Sequence, residues 1–337
     1  MPPVRPRPGR RPHRLRTVLL AGMLVPLLVS GALVASVIRD RWTDRAASTA
    51  LEAAAEDMGV LIAAGAAITE EQSHTTVLLL GTSFGVEVPD GSAAALAGAR
   101  IRVDRMASSS AAAAVDPALD ELRRMRSAFD DGDLDFGALS QSFVDVHDRL
   151  SSAWDGRLRH VGEVADRSEQ PAWLRARMRT LRESVAAVVP VTQRVRSSLH
   201  VDLGDRDPSV VTELLRSNAA FAEAAARAEP EQDTAASLAW ETLRTDPAAV
   251  RLETHLTRSE LVAFGSIPSP YTSDMAGLQD VLDDGVRWAS LLADVARASA
   301  TDLEEAARNQ ARQDERSMVL WIAAGMLVFA AASQRRW

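Results

Sequence analysis

Two long uncharged stretches stand at opposite ends of this chain, and nothing comparable lies between them. Thr17–Ile38 runs for 22 residues and Ser317–Ser333 for 17 residues without a charged side chain. A helix rises about 1.5 Å per residue, and the hydrocarbon core of a bilayer is about 30 Å thick. The first stretch, at roughly 33 Å, is long enough to cross it. The second, at roughly 25 Å, needs local thinning or snorkelling of Arg316 and Arg335. Gly22, Pro26, Ser30 and Gly31 are tolerated in such a helix. A cleaved signal peptide fits less well, because its apolar region is usually about 7–15 residues long. Hydropathy therefore predicts two transmembrane helices, with the lipid bilayer as the first partner.

Charge gives that layout a direction. Six arginines and no acid precede Thr17, and Arg335 and Arg336 follow Ser333, again with no acid. The positive-inside rule places both ends in the cytoplasm. The expectation is a two-pass plasma-membrane protein. Residues 1–16 form a cytoplasmic tail, 17–38 the first span, 39–316 an extracytoplasmic domain, 317–333 the second span and 334–337 a cytoplasmic stub. The central domain holds 30 arginines against all 46 acids, a formal charge of −16. A body so acidic repels nucleic acid and anionic surfaces. The chain has no cysteine, so neither disulfides nor thiolate metal sites are available.

The central domain reads as helix throughout. Ala47, Leu51, Ala54, Met58, Leu61, Gly65 and Ile68 alternate at spacings of four and three, and so do Leu278, Leu282, Gly285, Ala289, Leu292, Ala296, Ser299, Leu303 and Ala306. Such seams of mostly small residues let helices approach closely. They serve either one monomeric bundle or a stalk that carries displacement, the latter in a homodimer. Further helices are expected over 93–106, 117–129, 136–166 and 171–199, the last bent at Pro190. Asp207-Pro208 and Asp246-Pro247 each read as a cap followed by proline in the first turn. Thr75–Val88 reads as a helix ending at Gly81 in preference to a hairpin. The fold class is all-α: an elongated antiparallel helical bundle between two transmembrane helices.

Catalytic chemistry is hard to assemble from these residues. Gly81-Thr82-Ser83-Phe84-Gly85 matches the G-x-S-x-G elbow of hydrolases, but that elbow needs a strand before it and a helix directly after it. None of the six histidines pairs at i, i+4, and no H-E-x-x-H occurs, so no metal is expected. His147 falls on an apolar stripe with Phe143, Leu150, Trp154, Leu158 and Val161, where a satisfied core histidine is the plainer reading. No catalytic residue and no cofactor are assigned. Recognition chemistry is concentrated in arginine. Arg175, Arg179 and Arg182 share one helix face, and Arg123, Arg124 and Arg126 form a second group. Guanidinium forks suit small oxyanions and carboxylates. Arg175, Arg179, Arg182, Arg123 and Arg126 are therefore the candidate anion-binding residues, for an unidentified small-molecule ligand. Pairing with nearby acids on solvated faces is the ordinary alternative.

Glu70-Glu71, Leu78-Leu79-Leu80-Gly81 with Phe84-Gly85-Val86, Ala99-Arg100-Ile101-Arg102-Val103-Asp104, and Leu122-Arg123 through Asp133-Leu134-Asp135 carry a resemblance over some 200 residues. The chain resembles the N-terminal sensory region of actinobacterial membrane-bound GGDEF and GGDEF–EAL proteins, of diguanylate cyclase type. More distantly it resembles the all-helical nitrate- and nitrite-sensing domain. The resemblance implies a signal-input module followed by a cytoplasmic catalytic domain. Neither a GGDEF nor an EAL motif is present. The expectation is an input module without activity of its own, either a truncated receptor or one that acts through a partner. A membrane-anchored helical scaffold of the cell envelope is the alternative.

Overall fold

The computed structural model describes residues 12–84, 88, 90–107, 115–165, 171–203, 207–228, 230, 232–268 and 278–334. Every regular element among them is an α-helix: α1 (Pro12–Phe84), α2 (Ser92–Ala107), α3 (Asp116–Asp130), α4 (Phe136–Ala165), α5 (Ala172–Asp202), α6 (Pro208–Arg227), α7 (Ala235–Thr245), α8 (Pro247–Ala263) and α9 (Leu278–Gln334). No strand occurs among the described residues, in agreement with an all-α fold.

Local chemistry explains four of the boundaries. Asp207 accepts from the Ser209 amide and Asp246 from the Ala248 amide, and Pro208 and Pro247 stand in the first turns that follow. Gly132 and Gly265 adopt positive φ just past α3 and α8, a conformation glycine reaches without a Cβ penalty. α5 continues through Pro190 to Asp202. α1 continues past Gly81 to Phe84, so no hairpin forms at this point.

Two compact units divide the chain: residues 1–49 with 309–337, and residues 50–308. In the first, α1 and α9 are joined by Arg41–Asp314 at 3.1 Å and Arg45–Glu315 at 3.4 Å. A Cβ at Gly325 would stand 3.3 Å from Val34, so glycine permits a close approach there. Leu33, Trp42, Leu320 and Leu327 of this unit are exposed.

The second unit has one large core. The α1 seam from Leu51 to Ile68 and the α9 seam from Leu282 to Leu303 are buried. The chain's own helices fill them: Trp154 of α4 lies over Gly65, and Val195 of α5 over Gly285. α3 packs on α4, and α5 packs on α4, α6 and α8. A smaller core of Val201, Leu214 and Val262 joins the ends of α5, α6 and α8.

The membrane expectation does not stand. Among the described residues no helix is long and apolar enough to cross a membrane. The side chains of Thr17–Leu28 and Ser30, and those of residues 328–329 and 331–333, lie outside the described set. The two-pass placement, with 39–316 outside the cell, is corrected accordingly.

Candidate functional site

α1, α4, α5 and α9 converge on a cleft of the second unit with about 80 Å³ of free room. Its walls are largely apolar, with Phe143 and Val144 from α4, Val191 and Val195 from α5, and Val286 and Ala289 from α9. Polar groups enter from three helices: Thr69, Gln72, Ser73 and Thr76 from α1, His147 from α4, and Gln193 and Arg196 from α5.

These groups differ in what they have left to offer. Thr69, Ser73 and Thr76 donate their hydroxyl protons to the carbonyls of Gly65, Thr69 and Gln72, four residues back, at 2.9–3.0 Å. Their oxygens remain available only as acceptors. Gln72 is buried, and among the described residues its Nε2 has no hydrogen-bond partner. An unpaired buried amide costs about 1–3 kcal/mol, so an acceptor delivered there is rewarded.

His147 is also buried, with no hydrogen-bond partner among the described residues. Burial, then the Arg196 cation, pushes its pKa down to about 4. The imidazole is neutral near pH 7, with one nitrogen donating and the other accepting. Arg196 is itself paired with Glu213. The cleft thus offers neutral donors and acceptors, and one cation already paired, on an apolar wall, the usual composition of a small-molecule site.

The arginines singled out from the sequence lie elsewhere, and none of the five lines this cleft. Arg175, Arg179 and Arg182 form an exposed row on α5 with no ion-pair partner among the described residues. Arg123 is tied to Asp120 at 2.5 Å. Arg126 is structural: Nε and one terminal nitrogen meet Glu71 at 2.6 and 2.7 Å, and the other meets Asp104 at 2.7 Å. Burial alone would lower its pKa, but the hydrogen bonds and charges of Glu71 and Asp104 outweigh that and raise it. Arg102 grips Glu70, and Arg100 grips Asp130. The motifs at 70–71, 99–104 and 122–135 therefore meet in ion pairs that join α1, α2 and α3.

A second polar cluster combines serine, histidine and aspartate. His255 Nε2 lies 2.8 Å from Asp202 Oδ2 and 3.4 Å from Ser259 Oγ. A hydrolytic triad uses opposite ring nitrogens for the carboxylate and the hydroxyl. Here one nitrogen serves both, and Ser259 is fully buried. The arrangement ties α5 to α8. The side chain of Ser83, in the G-x-S-x-G pattern, lies outside the described residues, and its backbone belongs to the last turn of α1. Among the described residues no group of three or more His, Asp or Glu is arranged to hold a metal ion.

Comparison with known proteins gives no relative: no family model, no curated protein and no solved structure matches the chain.

The sequence reading missed the cleft. One signal was present. Continuing the α1 seam by four and three residues from Ile68 reaches Gln72 and Thr75, polar residues at core positions. A buried amide in a small-residue seam marks a place where packing has been given up for hydrogen bonding.

Proposed function

We propose that this chain is a signal-input module without catalytic activity of its own. A small molecule enters the cleft, and its occupancy changes how α1 and α9 pack in the second unit. The observation that carries the reading is a pair of buried side chains that line one cleft, Gln72, whose Nε2 has no hydrogen-bond partner among the described residues, and His147, for which no hydrogen bond is found among them. Two of the four walls belong to α1 and α9, the longest helices of the chain at 73 and 57 residues. A ligand there shifts the population between two packings only if it binds one of them more tightly. The resemblance to the sensory regions of diguanylate cyclase-type proteins agrees with such a role.

The absence of cysteine makes the test clean. Nitroxides at Glu56→Cys and Glu305→Cys report the α1–α9 separation in the second unit by pulsed electron resonance. Small metabolites that raise the melting temperature of the full chain are expected to shift the distance distribution by about 2 Å or more. Stabilising ligands that leave the distribution unchanged overturn the input role while leaving binding intact.

A second reading, an interaction protein, draws on the apolar surface of the first unit, where Leu33, Trp42, Leu320 and Leu327 are exposed. Exposed apolar patches mark contact surfaces. A stoichiometric protein that co-purifies with the wild type but not with Leu33→Asp/Leu320→Asp favours this reading.

A further inference from the structure

We infer that the cleft selects a small uncharged molecule with a hydrogen-bond acceptor on a short branched hydrocarbon body, an amide or ketone, over carboxylates and ammonium ions. This rests on the reading that the cleft is the ligand site. Three features of the cleft lead to it.

The first is the donor. Gln72 is 97 % buried by its 3 % residual exposure, and its Nε2 has no partner, so the complementary ligand atom is an acceptor. The hydroxyls of Thr69, Ser73 and Thr76 already donate within α1 and do not compete for that acceptor.

The second is charge. Among the described residues no carboxylate lines the cleft, so an ammonium ion finds no counter-charge there and meets the Arg196 cation. A carboxylate fares little better. Arg196 is already paired with Glu213, and His147 is held neutral. An entering anion gives up its hydration without gaining an unpaired cation. A neutral acceptor gains the Gln72 hydrogen bond without that loss.

The third is size. The free room of about 80 Å³ is roughly half that of the cavities of about 150 Å³ that take benzene. Phe143, Val195 and Ala289 bound it, and a Cβ at Gly285 would press on Val195 at 3.1 Å. A body of on the order of five non-hydrogen atoms fits without repacking.

Isobutyramide, isobutyrate and isobutylammonium have nearly the same shape and differ in charge. They are titrated into the full chain at pH 7.5 by calorimetry, with melting temperature as a second readout. Isobutyramide is expected to bind at least about 10-fold more tightly than either ion, a difference set by one buried hydrogen bond. Gln72→Leu is expected to weaken the amide by about 10-fold or more, yet to melt no lower than the wild type, because it removes an unpaired buried donor. Ala289→Phe is expected to abolish binding of all three. Isobutyrate binding as tightly as the amide, unchanged amide affinity in Gln72→Leu, or no amide binding at tens of millimolar overturns the inference. Preference for isobutyrate leaves the input role standing. Amide binding without α1–α9 movement refutes the input role and leaves the inference standing.

Discussion

Glu71 is fully buried on α1, and its carboxylate is held by the two-pronged grip of Arg126 from α3. Sequence reasoning placed Arg126 among candidate anion ligands, and the anion it binds turns out to be the protein's own. Removing one partner of a buried pair leaves an uncompensated charge, typically about 3–5 kcal/mol destabilising. Arg100, whose Nε lies 3.7 Å from Glu71, offsets part of that. Arg126→Leu is therefore expected to cost about 3 kcal/mol in urea unfolding, while Glu71→Leu/Arg126→Leu recovers most of it. A single-variant cost below about 1 kcal/mol refutes the assignment. Gly65 gives a residue-scale test of packing. A Cβ there would overlap the indole of Trp154, which is buried and donates from Nε1 to the Leu61 carbonyl at 3.3 Å. Alanine favours helix over glycine by about 1 kcal/mol, but overpacking costs about 1–3 kcal/mol. The ring is locked, so overpacking wins, and Gly65→Ala is expected to destabilise by about 1–2 kcal/mol. The same change at Gly156, with nothing near its Cβ position, is expected to stabilise slightly.

At the scale of elements, start signals decided what was legible. Asp207-Pro208 and Asp246-Pro247 join a side-chain acceptor to a residue that cannot extend a helix backwards, and both open helices as read. The buried seams of α1 and α9 were legible because their spacing holds over several turns. α7 escaped notice. Its signal is a capping box from Thr234 and Ser237, with serine in the position where glutamate or glutamine is usual. Its N-terminus also depends on a distant residue, since Asp302 of α9 accepts from the Ala235 and Ala236 amides at 3.2 and 2.9 Å. Thr234→Ala is expected to cost about 1 kcal/mol, measured as a lowered urea midpoint with unchanged slope. The cleft was illegible for a related reason. It is assembled from four helices, and no local spacing records which faces of α4 and α5 meet α1. The hydropathy of the end stretches was legible as composition alone, and composition does not report how those segments are placed.

On the scale of the whole molecule, one proton links the cleft to the stability of the second unit. α1, α4, α5 and α9 share a single core there, so the environment of His147 exists only while the unit is folded. The folded chain keeps this imidazole neutral down to about pH 4. In the unfolded chain histidine protonates near pH 6.5. Because the folded pKa is the lower of the two, the unfolded state takes up the proton first as pH falls. Stability is thus full above about pH 6.5, declines between about 6.5 and 4, and levels off below that as far as this group is concerned. A gap of this size amounts to about 3 kcal/mol, with about half of it lost by the middle of that window. His147→Leu keeps the volume and removes the titration. Urea unfolding followed from pH 7.5 to 4.5 is expected to show a wild-type decline that is steeper than the variant's by about 2 kcal/mol over that range, with the excess concentrated below pH 6.5. Carboxylate protonation lowers both curves together and cancels in the difference. Parallel curves, or a variant that loses stability faster than the wild type, place the wild-type imidazole in contact with water or a hydrogen-bonding partner and undo the description of His147 as a neutral, desolvated group. A cleft ligand that bonds the neutral ring lifts the wild-type curve by a nearly constant amount from pH 7.5 to about 5, since the folded imidazole is already neutral throughout that range.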